Sequence, residues 1–372
     1  MGKKSVPVRV RPEILEAAAY QQGRRPEKTG FKLSSNENPF ETLPEITQAI
    51  NARLDHNRYA AADMTELRTK IASRFATTAE HVHLGSGSVA ILYQLIHTVA
   101  GVGDNYVFAW PSFEAYPGLG LASGADPIRV PLQPDATHDL DAMAAAINSR
   151  TRAVIVCSPN NPTGPTVSRT DFEAFLQKVP RDVLVVLDEA YAEFVTESEA
   201  VIGVDLLRDH ENLVVLRTFS KAYGLAGVRI GYGLGSAELW EAVGRIAIPL
   251  SISGVAEAAA LAALEPATLE KLLDRVRVIS ERRDTLAHTL RTAGISVPEA
   301  QGNFVWIPET DRVTATRVAE AFAEHGTLVR PFVGHGTRIT VGEPESVTEA
   351  INVLTQLFES AATTAGSEGE TA

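Results

Sequence analysis

Three short apolar segments, each followed closely by polar residues, most constrain the fold of this 372-residue chain. They cover residues 153–157, 183–187 and 213–216. Short runs rich in Val, Ile and Leu are typical of strands that are buried on both faces of a sheet. Polar residues past the ends of such strands lie where open α/β sheets bind ligands. The segments therefore predict an α/β fold with a ligand site at one sheet edge.

A serine, a lysine and an arginine follow the third run, within the sequence SKAYGLAGVR. Desolvation or a nearby cation would lower the pKa of the Lys221 amine and make it nucleophilic. Ser220 and Arg229 can hold a phosphate through charge-assisted hydrogen bonds, because Gly224 and Gly227 let the backbone turn between them. The alternative is an ordinary surface Ser-Lys pair, with Arg229 at the start of the next strand.

A second candidate phosphate site is the turn Gly87, Ser88 and Val89, which precedes a predicted helix over residues 90–99. Small residues leave backbone N–H groups free at a helix start, and the helix dipole favours an anion there. The spacing matches neither a Walker loop nor a dinucleotide fingerprint. The turn gains weight because the segment around Lys221 requires the same ligand group.

Asp188 ends the second apolar run. Burying it as a free anion is costly unless a cation or a hydrogen-bond donor accompanies it. A protonated pyridine nitrogen would be such a partner, and the carboxylate would keep that ring protonated. Tyr191 can direct its hydroxyl to the oxygen of the same ring. The alternative role of Asp188 is a helix cap, and Glu189 and Glu193 are expected to be structural or solvated.

Together these motifs resemble those of fold-type I aminotransferases that depend on pyridoxal 5'-phosphate (PLP), in the histidinol-phosphate aminotransferase subgroup. The similarity spans residues 33–342. It implies an α/β fold with a seven-stranded, mostly parallel sheet in a large domain and a smaller α+β domain. The expected divisions are an arm at 1–30, a PLP-binding domain at 45–270, a small domain from 31–44 plus 271–360, and a disordered tail at 361–372.

The resemblance also assigns roles to residues of the site. It implies that Lys221 holds PLP covalently, that Phe113 stacks on the pyridine, and that Arg338 clamps the substrate α-carboxylate. Asn161 would bond the ring hydroxyl and orient the same carboxylate. The nearby aromatics Trp110 and Tyr116 are equally well explained as residues packed in the core. The expected cofactor-binding residues are Tyr59, Gly87, Ser88, Val89, Phe113, Asn161, Asp188, Tyr191, Ser220, Lys221 and Arg229.

Two tyrosines are expected to act at a homodimer interface. The resemblance implies that Tyr59 reaches the cofactor phosphate of the partner subunit, although the family's Pro-Asp/Glu after it is replaced by residues 60–63. The alternative is a tyrosine anchored in a loop. Tyr20, in the N-terminal arm, is a candidate lid over the substrate, alongside Asn161 and Arg338 in the substrate-binding set.

The predicted reaction is transfer of an amino group from an amino acid to a 2-oxo acid, with 2-oxoglutarate as the acceptor by family analogy. Residues 109–116 and 301–307 look like those of actinobacterial aromatic aminotransferases. An aromatic amino acid is therefore the first choice of donor, and histidinol phosphate is the alternative. The nearest rival class is a PLP lyase or decarboxylase. An effector module of a transcription regulator fits less well. A nicotinamide dehydrogenase also fits less well, because this sequence has no Gly-x-Gly-x-x-Gly turn after a strand.

Charge and composition exclude several other classes. A formal net charge of −12 without a basic block argues against nucleic acid as a partner. No run of about 18 apolar residues predicts a membrane span. Cys157 is the single cysteine, so an intrachain disulfide is impossible and a reducing cytoplasm is the expected location. The nine histidines show no metal-ligand spacing.

Overall fold

The computed structural model describes residues 8–17, 30–53 and 55–368, with side chains described as far as residue 362. Two β-sheets and the helices around them make up this part of the chain. Within it, no helix combines the length and apolar character that crossing a membrane requires.

The larger sheet has seven strands in the order β1-β7-β6-β5-β4-β2-β3. All its strands run in one direction except β7, which is antiparallel to both β1 and β6. This confirms the predicted mostly parallel sheet. The strands are β1 (Val82–Gly85), β2 (Asn105–Trp110), β3 (Asp126–Pro131), β4 (Thr151–Cys157), β5 (Leu184–Asp188), β6 (Leu213–Thr218) and β7 (Gly231–Leu234).

The central strands are apolar because both faces of the sheet are covered. On β4, Ile155 packs into the core that contains α4, whereas Val154 and Val156 pack into the core on the opposite face. All three side chains are fully buried. This two-sided burial explains why the strand reads as a continuous apolar run rather than an alternating one.

The helices that pack on these sheets are mostly short, and several begin at a side-chain cap. Ser168, Ser236, Ser253 and Thr314 each accept a hydrogen bond from a backbone N–H of the first turn. The described α-helices are α1 (Pro12–Glu16), α2 (Pro44–Ala52), α3 (Thr65–Ser73), α4 (Ser88–Val99), α5 (Leu140–Ala145), α6 (Arg169–Leu176), α7 (Ala237–Gly244), α8 (Gly254–Ala263), α9 (Pro266–Thr292), α10 (Ala315–Ala323) and α11 (Pro344–Glu368). Short 3₁₀ turns occur at Ala79–His81, Tyr116–Leu121, Ala192–Phe194 and Gly203–Leu206.

The smaller sheet is antiparallel, with the order β8-β10-β9. Its strands are β8 (Phe304–Pro308), β9 (Arg330–Phe332) and β10 (Gly336–Thr340). An early segment of the chain joins it, because Lys32 forms a parallel bridge with Leu328 and the Thr340 N–H donates to the Leu33 carbonyl. Residues from opposite ends of the sequence therefore meet beside this sheet.

Several element boundaries differ from the sequence predictions. The sequence predicts one strand over residues 327–330 and another from residue 107 into an aromatic cluster that ends at residue 116. In the structure the first is β9, which begins at Arg330, and the second is β2, which ends at Trp110, before Pro111. Helix α11 continues to Glu368, into the segment for which the sequence predicts a tail. Ala361 is buried in the core cluster of α9 and α11, and alanine favours the continuing helix.

Candidate active site

Four of the predicted site residues follow neighbouring parallel strands of the large sheet. Phe113 follows β2, Asn161 follows β4, Asp188 ends β5 and Lys221 follows β6. The sheet order places these four strands side by side. Their carboxyl ends therefore bring the four side chains to one crevice, as open α/β sheets do.

Lys221 is held at the bottom of this crevice by a single backbone contact. Its Nζ donates a hydrogen bond of 3.0 Å to the Ser35 carbonyl and lies 5.8 Å from the centre of the Tyr191 ring. Burial, together with the positive charges of Arg338 and Arg229, lowers the pKa of the amine to about 7. A large fraction of Lys221 is therefore neutral, and nucleophilic, near neutral pH.

Asp188 is a buried carboxylate whose hydrogen-bond donors are uncharged. Its Oδ2 accepts a hydrogen bond of 2.8 Å from the Tyr116 hydroxyl, and its Oδ1 accepts one of 3.3 Å from the Ala190 N–H. Burial raises the pKa of Asp188 to about 6, although both hydrogen bonds act to lower it. A cation beside this carboxylate would restore its ordinary acidity.

Tyr191 is connected to the small sheet through an asparagine. Its hydroxyl oxygen accepts a hydrogen bond of 2.9 Å from Asn36 Nδ2. Asn36 in turn accepts from the Thr340 hydroxyl at its Oδ1 and donates its backbone N–H to the same hydroxyl oxygen, each at 3.0 Å. Since Tyr191 is the acceptor, its own proton is not used in this contact.

Arg338 and Asn161 meet directly, although 177 positions separate them in the sequence. Arg338 Nη1 donates to Asn161 Oδ1 at 2.5 Å, and Nη2 donates to the Ser34 carbonyl at 2.6 Å. Both side chains are buried. The guanidinium is thus a fixed planar fork, which is the geometry that recognises a carboxylate.

Ser220 and Arg229 approach each other on one side of the crevice. Arg229 Nη1 donates to Ser220 Oγ at 3.4 Å, and the Thr218 hydroxyl donates to the same oxygen at 3.0 Å. Arg229 lies before β7 rather than in it, in the left-handed region with φ of 62°. A non-glycine residue is uncommon there, so the backbone is held in that state by its surroundings.

The start of α4 faces the same arginine. Gly87 has φ of 80°, and a Cβ at this position would collide with the Arg229 guanidinium. Ser88 and Val89 are the first residues of α4, which has no side-chain cap at its N-terminus. The helix N-terminus, Ser220 and the guanidinium together form a candidate cradle for an anion.

Phe113 stands half-buried at the crevice, with its ring in edge contact with Tyr116 at 5.6 Å between ring centres. The described residues do not test the roles predicted for two tyrosines. Tyr59 is 81% exposed in the single chain, and Tyr20 lies outside the described residues. The assignments of these two residues remain predictions.

Glu189, next to Asp188, has a structural role in the described chain. Its Oε2 pairs with Arg217 at 2.7 Å and its Oε1 accepts from the Gly203 N–H at 2.8 Å. Glu193 lies 3.6 Å from the same guanidinium. Both carboxylates are directed to Arg217 rather than to Lys221, in agreement with the structural role predicted for them.

The sequence does not predict the contacts that Ser34, Ser35 and Asn36 make with the site. Residues 33–39 resemble the family's Asn-Glu-Asn-Pro turn near the substrate, and their Asn and Pro otherwise indicate only that the chain turns. Two of the three act through their backbone carbonyls, which no side-chain pattern reveals. Tyr116, treated as an ordinary core aromatic, is indeed fully buried but also bonds Asp188. Its position three residues after Phe113 was the available signal.

No group of three or more His, Cys, Asp or Glu side chains within the described residues is arranged to hold a metal ion.

Comparisons with known proteins agree with the architecture and its motifs. The family described as "Aminotransferase class I and II" matches residues 28–354. A Streptomyces coelicolor protein named aromatic amino acid aminotransferase is 44% identical over 342 residues, covering 91% of this chain and 94% of its own length. A Thermobifida fusca protein of the same name is 45% identical over 343 residues, with the same coverage of both chains.

Among solved structures, one similar fold is that of histidinol-phosphate aminotransferase from Sinorhizobium meliloti, in complex with pyridoxal-5'-phosphate. It has a TM-score of 0.86 and 26% sequence identity, and the match covers 96% of this chain and all of that one. The likeness confirms the expected fold-type I architecture.

Proposed function

Because this chain belongs to the class I and II aminotransferases, we propose that it transfers the amino group of an aromatic amino acid to 2-oxoglutarate, with PLP as its cofactor. The observation that carries this proposal is the lysine amine with a pKa of about 7 in the same crevice as a buried carboxylate. Family membership is established by sequence, whereas the donor, the acceptor and the residue roles are proposed.

The residues of the crevice fit the chemical groups of PLP. Lys221 is an amine suited to the aldehyde, and the cradle of Ser220, Arg229 and the α4 N-terminus suits the phosphate. Asp188 is a buried carboxylate whose raised pKa a pyridinium would lower. Gly87 keeps the cradle open, since a side chain there would collide with the guanidinium.

When bound, PLP supplies an electron-withdrawing ring that makes the α-proton of an attached amino acid removable. The chain's own residues then have separable tasks. Lys221 Nζ accepts and returns that proton, for which a pKa near neutrality is suited. Asp188 stabilises a positive charge on the ring nitrogen, and Tyr191 offers its hydroxyl to the ring oxygen.

Arg338 and Asn161 would orient the substrate by its α-carboxylate. Their contact of 2.5 Å fixes the guanidinium plane before substrate arrives. Holding the carboxylate in one plane fixes which α-bond points toward Lys221, and correct orientation contributes strongly to rate. We assign the α-carboxylate clamp to Arg338 for this reason.

The choice of an aromatic donor is supported by the names of relatives that are 43–45% identical. Histidinol phosphate remains the second candidate, because a structural neighbour of 26% identity carries that name. Parallel measurement of kcat/KM with phenylalanine and histidinol phosphate distinguishes the two. A hundredfold preference for histidinol phosphate would reverse the order.

We also propose that the enzyme is a homodimer in which Tyr59 completes the partner's phosphate site. Tyr59 is 81% exposed in one chain, which leaves its ring available to a second subunit. Mixing an inactive Lys221→Ala protein with an inactive Tyr59→Ala protein should restore activity, because one site of each mixed dimer keeps both residues. If verified mixed dimers recover no activity, the proposal that Tyr59 completes the site of the partner subunit is wrong.

The buried, unpaired thiol of Cys157 supports a reducing location, and we propose the cytoplasm.

A direct test of the function uses borohydride reduction of the holoenzyme followed by peptide mapping. We expect the PLP-derived mass on Lys221 and none on a Lys221→Ala protein. Addition of phenylalanine should convert the bound cofactor to pyridoxamine phosphate in a one-to-one ratio, which a lyase or decarboxylase would not do.

A further inference from the structure

Two arginines of the small sheet occupy directly opposite positions. Arg330 of β9 and Arg338 of β10 are register partners in the antiparallel ladder. Opposite residues of such a pair project from the same face with their Cβ atoms about 5 Å apart. A ligand held by the Arg338 guanidinium therefore lies within reach of a second arginine.

Arg330 is bound by a carboxylate from the loop that follows β2 of the large sheet. Its Nε donates to Glu114 Oε2 at 2.9 Å, and its Nη2 donates to Glu114 Oε1 at 2.5 Å. The two side chains are 16% and 26% exposed, so the pair is largely withdrawn from water. Glu114 directly follows Phe113, which places this two-pronged ion pair at the mouth of the crevice.

The pair changes what the second arginine can do. A free guanidinium beside Arg338 would attract a distal anion of the substrate, such as a second carboxylate or a phosphate. Glu114 occupies two donors of the fork and cancels its charge. An uncharged side chain can then enter without burying an unpaired cation, which would be costly.

We propose that Glu114 sets the charge selectivity of the substrate side-chain subsite by competing with substrate anions for Arg330. This inference rests on the proposed aminotransferase function and deepens it. An aromatic side chain leaves the ion pair closed, whereas an anionic one must displace Glu114 from the fork. Glu114 is thus a specificity-determining residue, and it takes no part in proton transfer.

The matched variants are Glu114→Gln, Arg330→Gln and the double substitution, all studied as holoenzymes. For Glu114→Gln we expect kcat/KM with glutamate to rise about tenfold relative to phenylalanine, and the KM for 2-oxoglutarate to fall. Arg330→Gln should raise that KM about tenfold with little change for phenylalanine. In the double variant the gain from Glu114→Gln should vanish, because it requires the arginine.

Binding of unreactive ligands gives a second readout that does not need turnover. Calorimetry with glutarate and with phenylpropionate should show that Glu114→Gln raises the affinity for glutarate and leaves the affinity for phenylpropionate unchanged. The matched control is Asp104→Asn, since Asp104 pairs with Arg152 at 3.0 Å, is 24% exposed and precedes β2 at the opposite sheet edge. This control should alter neither ligand.

The outcomes separate the two proposals. If the protein turns over neither phenylalanine nor glutamate, the proposed function is wrong. The calorimetric comparison of glutarate with phenylpropionate still tests whether Glu114 sets the charge selectivity. If Glu114→Gln changes glutarate and phenylpropionate affinity by the same factor, the ion pair only joins the two sheets and the inference is wrong. The inference is also wrong if Glu114→Gln still raises the affinity for glutarate when Arg330 has been replaced.

Discussion

The Tyr116 hydroxyl donates a 2.8 Å hydrogen bond to Oδ2 of Asp188, and both side chains are buried. The bond lowers the pKa of a carboxylate that burial raises to about 6. Tyr116 therefore acts through Asp188 to keep it ionised and oriented, which makes it a positioning residue rather than a core aromatic alone.

Replacing Tyr116 by Phe should weaken cofactor binding about tenfold and lower kcat by a similar factor, because a hydrogen bond to a charged group contributes about 1.5–3 kcal/mol. Titrating the apoenzyme with PLP measures the dissociation constant independently of turnover. Tyr93→Phe, on α4 beside His97, is the control. An unchanged dissociation constant for Tyr116→Phe would show that the bond has only a packing role.

The apoenzyme of Asp188→Asn should be more stable than wild type at neutral pH, even though the variant is inactive. The folded pKa of about 6 exceeds the ordinary 3.8, so the folded state binds more protons in this interval. Wild-type stability therefore falls as pH rises from about 4 to 6, by about 2–3 kcal/mol in total. Thermal unfolding of both apoproteins across this range should show a gap that opens with pH; a constant gap contradicts the assignment.

The rate at which apoenzyme takes up PLP covalently should rise with pH through about 7 and then level off, because only the neutral Lys221 amine attacks an aldehyde. An unperturbed lysine would keep gaining reactivity toward pH 10.5. Stopped-flow absorbance against pH measures this directly. A rate that continues to climb well above neutrality would show that burial and Arg338 do not depress the pKa.

Arg338→Lys should reduce kcat/KM for amino acid substrates about a hundredfold, although the positive charge is kept. A lysine cannot reproduce the fork that bonds Asn161 and the Ser34 carbonyl together. The expected loss lies mainly in KM if Arg338 holds the carboxylate. Steady-state kinetics with phenylalanine, alongside an intact cofactor spectrum, provide the measurement, and a loss confined to PLP binding would assign Arg338 a different role.

Glu189→Gln should destabilise the protein by about 3 kcal/mol while leaving kcat nearly unchanged, because it removes the shorter of the two ion pairs of Arg217, whose side chain is only 11% exposed. Chemical denaturation measures the free energy of unfolding. The exposed pair Arg169 and Glu173 provides the comparison, since Glu173→Gln should cost only a few tenths of a kcal/mol. A selective loss of kcat would instead give Glu189 a role in the chemistry.

The sequence predicted the parts of the site that lie at strand ends. Asp188 and Lys221 follow continuous apolar runs, and such runs reveal both the sheet and the edge where ligands bind. The glycines between Ser220 and Arg229 also predicted that these two residues approach each other. In the structure Gly224 has the positive φ of 67° that the turn requires.

The sequence could not reveal contacts between distant segments. The carbonyl of Ser35 accepts from Lys221 Nζ across 186 positions, and any residue type supplies a carbonyl. The Glu114 and Arg330 pair spans 216 positions, and each residue alone is an ordinary surface charge. Such pairs follow from how the two sheets pack, which periodicity and local spacing do not encode.

The contacts of Ser34 and Asn36 with strand β10 span 304 positions each. During synthesis, the seven strands of the large sheet leave the ribosome well before β10 does. A nascent chain can therefore assemble that sheet and expose Lys221 while Arg338, the proposed substrate clamp, is still missing. The part of the proposed site that Arg338 supplies is therefore added late, when the last strand docks against an early segment of the chain.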